Sequence, residues 1–173
     1  MKGLTLIENF VTEEDEDFLL KKIYEQKWNT DLSRKTQHYG FKYGYGRQAT
    51  SSIEPTIPIP DWLQGIRDEV HPEANQAIIN HYLPGQGIAS HIDNFKFGEK
   101  VVSVSLKSGI CMDIENEDST ESLYLKPRSC LILEDEARWK FKHGITKRRS
   151  DIVDGKSIKR GERISITFRS YNI

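Results

Sequence analysis

The sequence has no apolar run that approaches the roughly 18 residues of a membrane-spanning helix, so no span is expected. Its N-terminus, residues 1–5, lacks the apolar core of a signal peptide. Internal repeats and low-complexity linkers are also missing, and 173 residues suffice for one domain with a sizeable core. We therefore expect a single domain over 1–173, located in the cytoplasm or nucleus and acting as a monomer.

Cysteine is scarce. The two cysteines, Cys111 and Cys130, each lie in an apolar run, which indicates buried free thiols in a reducing compartment. Neither belongs to a Cys-x-x-Cys pair, so a zinc site built from thiolates is not expected.

The chain also lacks a strong overall charge. A formal net charge of −1 gives no global basic field that would indicate nucleic acid. Cations nevertheless gather between 138 and 163, namely Arg138, Lys140, Lys142, Lys147, Arg148, Arg149, Lys156, Lys159, Arg160 and Arg163. Two interpretations stay open here: a local basic surface, or a solvated face with scattered cations.

Two helices are predicted in the N-terminal part, after a short strand at residues 4–7. Thr12 can cap the first helix, with Asp15 as its capping partner and about 12 residues of helix behind it. The second helix covers roughly 60–70, where Trp62, Leu63 and Ile66 recur at helical spacing.

From Ala77 onward the pattern favours β-structure. The candidate strands are 77–83, 101–107, 110–114, 122–126, 129–134, 137–143 and 162–170, separated by turn residues. Many short strands after two helices predict a mainly β protein with flanking α-helices. Its architecture would be an antiparallel sandwich or barrel, buttressed on one side by the two N-terminal helices.

Two of these strands show clear alternation. In 137–143, one face would carry Trp139, Phe141 and His143. In 162–170, the polar face consists of Arg163, Ser165, Thr167 and Arg169, and the apolar face of Ile164, Ile166 and Phe168. If the apolar face packs on a core, the arginines point either to solvent or into a cavity, where they could bracket a small dianion.

Residues 28–57 differ in kind, because aromatic and basic residues alternate there with glycines. One interpretation is a lid over an active site, whose aromatic rings offer flat faces to a nucleobase. The alternative is a pair of β-strands with aromatics packed on the core. The interleaved lysines and arginines favour the lid.

The segment His91-Ile92-Asp93 and the distant His143 can form a set of two imidazoles and one carboxylate. Side chains at i and i+2 of an extended segment point to the same side, so His91 and Asp93 can reach one metal ion. His143 must then come from another strand. Such a set occupies one face of an iron coordination sphere and leaves the other open. The alternative is a surface pair and a hydrogen-bonded loop histidine.

Four pieces taken together resemble the AlkB family of Fe(II)- and 2-oxoglutarate-dependent dioxygenases. They are Asn80-His81-Tyr82-Leu83-Pro84-Gly85, His91-x-Asp93, His143-Gly144-Ile145 and the strand from Arg163 to Arg169. The resemblance implies a double-stranded β-helix, which is a jelly-roll fold. It also implies that His91, Asp93 and His143 bind Fe(II) as the catalytic centre. The 2-oxoglutarate site would be formed by Asn80, Tyr82, Arg163, Ser165 and Arg169.

Within the family, the chain is similar to the branch that modifies wobble uridines of tRNA, and the segment 38–43 resembles that branch's lid. We expect 173 residues to leave no room for that branch's RNA-recognition module and methyltransferase domain. The implied co-substrates are O2 and 2-oxoglutarate, with ascorbate as reductant. Candidates for substrate contact are Arg34, His38, Tyr39, Tyr43 and Phe95.

The function implied by this resemblance is oxidative demethylation or hydroxylation of nucleic-acid bases, with RNA favoured over alkylated DNA. An unpaired or flipped-out base would be needed. One alternative keeps the enzyme class and changes the substrate to a protein side chain or a small molecule. Another is a jelly-roll binding module without catalysis.

Overall fold

The computed structural model describes residues 1–44 and 52–172. The part of the predicted lid between 45 and 51 lies outside these residues. The described chain contains three helices: α1 (Glu13–Glu25), α2 (Asp61–Val70) and α3 (Asp135–Trp139). No helix among the described residues is long and apolar enough to cross a membrane.

Antiparallel strands make up most of the regular secondary structure of the described chain. They are β1 (Leu4–Ile7), β2 (Lys35–Tyr39), β3 (Phe41–Tyr43), β4 (Ile53–Pro55), β5 (Gln76–Tyr82), β6 (Ile88–His91), β7 (Val101–Leu106), β8 (Ile110–Glu115), β9 (Thr120–Leu125), β10 (Cys130–Leu133), β11 (Lys142–Ile145), β12 (Ser150–Val153), β13 (Lys156–Lys159) and β14 (Arg163–Arg169). The large sheet has the order β1-β10-β7-β14-β5-β2, and the small sheet has the order β6-β11-β8-β9. Two hairpins, β3–β4 and β12–β13, stand apart from both sheets within the described chain.

The helices cover one face of the large sheet, as predicted. Thr12 caps α1, because its Oγ1 accepts a hydrogen bond from the Asp15 backbone amide at 3.1 Å. Leu19 and Ile23 of α1 pack in one buried cluster with apolar side chains of α2 and of the central strands. Burial of this face, rather than helix propensity, holds such short helices in place.

The other face of the large sheet packs against the small sheet. A second buried cluster joins Tyr82, Val101 and Leu131 of the large sheet to Met112 and Ile145 of the small one. The result is three layers, helices, large sheet and small sheet, in agreement with the predicted β-architecture and its helices on one side. Cys111 and Cys130 are both buried and unbridged, which confirms the prediction of free thiols.

The prediction of a strand over 137–143 was wrong in its first half. Residues 135–139 form α3, closed by backbone hydrogen bonds from Arg138 to Glu134 and from Lys140 to Glu136. Only Lys142–Ile145 is a strand. Trp139 therefore does not share a strand face with His143. The alternation of side chains in the sequence does not show whether the backbone amides of this segment bond to carbonyl oxygens within one helical turn.

The region 28–57 contains strands in its described part. β2 joins the edge of the large sheet beside β5, while β3 and β4 pair with each other. Tyr39 of β2 is 6% exposed, and its ring packs edge-on against Trp62 of α2 at 6.0 Å between centroids. For β2, the structure thus agrees with the alternative interpretation, a β-strand whose aromatic side chain packs on the core.

Candidate metal centre and co-substrate cavity

The two imidazoles lie side by side on neighbouring strands. His91 ends β6 and His143 belongs to β11, and the register of this antiparallel pair places them directly opposite each other. Asp93 follows β6, with its Oδ1 at 3.1 Å from His91 Nε2 and 3.4 Å from His143 Nε2. One ligand atom from each residue lies within 4.8 Å of the others. The structure therefore brings the three residues together, and the donor set suits Fe(II).

The hydrogen bonds around this set also fit a metal centre. Nδ1 of His91 donates to the Ala89 carbonyl oxygen at 2.7 Å, which leaves Nε2 facing Asp93 and His143. A backbone acceptor on the far ring nitrogen is the usual way in which a metal-binding histidine is oriented.

Asp93 is held as a carboxylate. Burial raises its pKa, but the charge of Arg169 and hydrogen bonds with His143 and His91 outweigh it and hold the pKa well below its ordinary value. Arg169 Nη1 donates to Asp93 Oδ2 at 3.1 Å. An ionised carboxylate at neutral pH is the form that binds a cation.

The arginine face of β14 points into a cavity. Arg163 is 1% exposed and Arg169 8% exposed, so the interpretation as solvated surface arginines was wrong. Ile164, Ile166 and Phe168 pack in the cluster beneath the helices, as their alternation predicts. The cavity measures about 440 Å³ and contains the three candidate metal ligands.

The cavity favours anions. Its described lining contains three arginines, Arg34, Arg163 and Arg169, but only one carboxylate, Asp93. Arg163 donates to Ser105 Oγ at 2.9 Å, lies over the Tyr82 ring, and makes no ion pair with a described residue. Its Nε is buried and has no hydrogen-bond partner among the described residues. A buried cation with an unused donor indicates an anionic ligand.

Every residue expected to contact 2-oxoglutarate lines this cavity: Asn80, Tyr82, Arg163, Ser165 and Arg169. The registers explain why. Tyr82 pairs with Arg163 and Asn80 with Ser165 across the β5–β14 ladder, so all four share one face. Arg34 Nε donates to Asn80 Oδ1 at 3.0 Å. The remaining wall is mostly apolar and includes Val101, Met112, Leu131, Leu133 and Ile145.

The predicted substrate contacts divide into groups. Arg34 and Tyr43 line the cavity, and Phe95 lies just outside it with 78% of its surface exposed. His38 faces a neighbouring depression, and burial and the charge of Lys42 lower its pKa to about 4. The structure corrects the prediction that Tyr39 contacts the substrate. Its ring belongs to the core, and its hydroxyl donates to Gln37, so it is not available to a substrate.

Three cations of the 138–163 cluster are buried: Arg138, Arg160 and Arg163. They do not belong to a basic surface, which limits that interpretation to the remaining members. Arg138, which the sequence indicated only as one cation of the cluster, donates hydrogen bonds to four carbonyl oxygens of the loop 93–98. Every residue has a backbone carbonyl group, so no residue type in the sequence marks the partners of this guanidinium.

Comparison with known proteins agrees with this geometry. Residues 3–169 match the family described as the 2OG-Fe(II) oxygenase superfamily. Uncharacterized protein L905 of Acanthamoeba polyphaga mimivirus is 35% identical, over 98% of this chain and 85% of its own length. The Macaca fascicularis protein named tRNA (carboxymethyluridine(34)-5-O)-methyltransferase ALKBH8 is 31% identical over 96% of this chain. The match spans only 30% of the macaque protein's length.

Among solved structures, OsALKBH1 superimposes with a TM-score of 0.74. The alignment covers 98% of this chain and 99% of that one, at 18% sequence identity. This match confirms the predicted jelly-roll fold.

Proposed function

Because the chain belongs to the 2OG-Fe(II) oxygenase superfamily and is an AlkB-family dioxygenase, we propose that it oxidises a base of a nucleic acid, by demethylation or hydroxylation. The observation that carries the proposal is the convergence of His91, Asp93 and His143 beside a cavity lined by arginines. RNA is favoured over DNA, because the macaque relative's name specifies a tRNA uridine.

In this proposal His91, Asp93 and His143 hold Fe(II). The bound iron, with 2-oxoglutarate and O2 as co-substrates and ascorbate as reductant, supplies the oxidising chemistry at a C–H bond. Asp93 contributes the negative charge of the ligand set, and Arg169 keeps that carboxylate ionised and oriented. The hydrogen bond from His91 Nδ1 to Ala89 keeps the His91 Nε2 lone pair directed toward the ion.

Arg163 is assigned to a carboxylate of 2-oxoglutarate. Its guanidinium is fully buried, is fixed by Ser105 and Tyr82, and retains an unused Nε donor. Such a fork pairs with a carboxylate in a planar, two-point contact. Asn80, Ser165 and the apolar wall complete the cavity, and the wall keeps water away from the reacting groups.

The base would enter at the side where Arg34 and Tyr43 border the cavity. A cavity of about 440 Å³ accepts a base only when that base has left its stack. The substrate is therefore single-stranded, or its target base is flipped out. We also propose that the protein acts as a monomer in the cytoplasm or nucleus.

The test is incubation of the protein with Fe(II), 2-oxoglutarate, ascorbate and either tRNA or alkylated single-stranded oligonucleotides. Mass spectrometry of the digested nucleosides should show a base gaining oxygen or losing a methyl group, with succinate formed in step. The His143→Ala variant serves as the control and should form neither product. Succinate formation stimulated by a histone-like peptide but by no nucleic acid would instead favour a protein substrate.

A further inference from the structure

The loop 93–98 follows β6 and begins at Asp93. Asp93 and Asn94 line the cavity, whereas the next residue, Phe95, lies outside with 78% of its surface exposed. This is the largest exposed fraction of any large hydrophobic residue in the described chain. A single exposed apolar side chain is ordinary, so any role for Phe95 must rest on how the loop holds it.

The loop is clamped from the α3 side by Arg138, which is 2% exposed. Its guanidinium donates to the carbonyl oxygens of Asp93, Asn94, Phe97 and Gly98, at 2.9 to 3.0 Å. The guanidinium carbon also lies 3.9 Å from the centroid of the Trp139 ring. Four charged hydrogen bonds from one rigid group leave the main chain of this loop little freedom.

A second set of contacts, from the C-terminal end of β14 and within the turn itself, also holds the loop. Phe97 is 1% exposed, and the Arg169 guanidinium lies 3.8 Å from its ring centroid. Gly98 donates its amide to the Ser170 carbonyl at 2.8 Å. At the turn itself, Asn94 Oδ1 accepts a hydrogen bond from the Lys96 amide at 2.9 Å. The chain on both sides of the turn is thus anchored, while the Phe95 ring remains in solvent.

We propose that Phe95 is a stacking platform for a base of the nucleic acid, next to the base that enters the cavity. This inference rests on the proposed function. A rigid aromatic ring at the rim binds at low entropic cost, because its position is set before the partner arrives. Stacking tolerates any base, since every base has a flat face.

The surroundings of Phe95 favour a nucleic acid over a protein partner. Lys96 beside it is exposed and makes no ion pair with any described residue, so its ammonium is available to a phosphate. A protein interface usually has a contiguous apolar centre of several side chains. Among the described residues, the exposed neighbour of Phe95 within the loop 93–98 is instead the charged Lys96, and the nearest exposed apolar residue along the chain, Ile92, is only 39% exposed. One flat ring next to one cation matches a base and its phosphate.

The test is the affinity of the full chain for labelled single-stranded RNA, measured by fluorescence anisotropy. Phe95→Ala should weaken binding by about 5- to 100-fold, the range expected for loss of one stacked base. Phe95→Tyr should restore binding to about the parent value, whereas Phe95→Leu, apolar but not planar, should not. Phe18→Ala is the matched control, since Phe18 is a half-exposed phenylalanine on α1 and its removal should leave the affinity unchanged.

A second measurement uses Phe95→Trp, whose added fluorescence should be quenched by RNA if the ring stacks on a base. Unchanged affinity in Phe95→Ala would overturn the inference, and so would full affinity in Phe95→Leu. If the parent still modifies RNA in either case, the proposed function stands without the platform. If the parent binds no RNA and modifies none, both fail together.

Discussion

The guanidinium of Arg138, on α3, donates a hydrogen bond to the backbone carbonyl oxygen of Asp93 at 3.0 Å. Arg169 binds the carboxylate of the same residue at 3.1 Å. One arginine therefore holds the main chain of the proposed iron ligand, and the other holds its side chain. Arg138 acts through Asp93 and is in this sense a positioning residue.

Replacing Arg138 by Lys should weaken metal binding. Lysine keeps the charge but cannot reach four carbonyl oxygens, so the loop that carries Asp93 gains freedom. We expect the affinity for Mn(II), used in place of Fe(II), to fall by about tenfold or more. Isothermal titration of the metal-free protein measures this directly, without relying on turnover.

The matched control for Arg138→Lys is Arg160→Lys. Arg160 is similarly buried and holds Asp151 and the Thr146 carbonyl oxygen, remote in sequence from Asp93. This control should lower the stability toward urea while its Mn(II) affinity stays near that of the parent. Equal losses of Mn(II) affinity in both variants would show that Arg138 acts through general stability and not through Asp93.

The buried Arg163 should determine the affinity for 2-oxoglutarate. Arg163→Lys retains a cation but loses the planar fork, so we expect the Kd for 2-oxoglutarate to rise by roughly tenfold or more. Titration into the Mn(II)-loaded protein gives this value. The Mn(II) affinity measured alone should not change, because Arg163 makes no contact with the three candidate ligands. An unaltered Kd for 2-oxoglutarate would remove Arg163 from the co-substrate site.

Metal removal should lower thermal stability. A ligand that binds only the folded state, at a free concentration one hundred times its Kd, adds about 2.7 kcal/mol to the free energy of unfolding. We therefore expect Mn(II) to raise the Tm by several degrees and a chelator to reverse the shift. His143→Ala should show no such shift. A similar rise in that variant would place the ion elsewhere.

Glu162 should make stability depend on pH in the acid range. Its carboxylate accepts hydrogen bonds from Tyr24, His81 and Lys107, and these contacts lower its pKa from 4.5 to about 2. Because the folded-state pKa is depressed, the stabilisation is complete above the ordinary pKa and is lost as the pH falls toward about 2. Glu162→Gln should reduce stability at neutral pH and flatten its decline below about pH 5.

Urea unfolding at a series of pH values checks this prediction. Glu8→Gln is the control, because the one ion pair of Glu8 with a described residue is an exposed contact with Lys126 at 3.4 Å, and its loss should have little effect. If the free energy of unfolding changes with pH in the same way for the parent and for Glu162→Gln, the role given to Glu162 is contradicted.

Local patterns in the sequence predicted much of the fold. The Thr12 cap depends on residues three positions apart, and the two faces of β14 depend on strict alternation, so each is decided within a short segment. The spacing of His91 and Asp93 left a surface pair open as an alternative, and the resemblance to the AlkB family favoured the set with His143 that the β6–β11 ladder brings together.

Other features depend on contacts between segments that are distant in the chain. Residues 137–139 alternate as a strand would, yet they fold into α3, where Arg138 can reach the loop after Asp93. Tyr39 belongs to an aromatic segment that resembles a lid, yet α2 covers it. The pattern of a short segment contains its backbone preference and its apolar face. It contains no information on which remote carbonyl, helix or strand will cover a side chain, and burial of Arg138 and Tyr39 was decided by those remote partners.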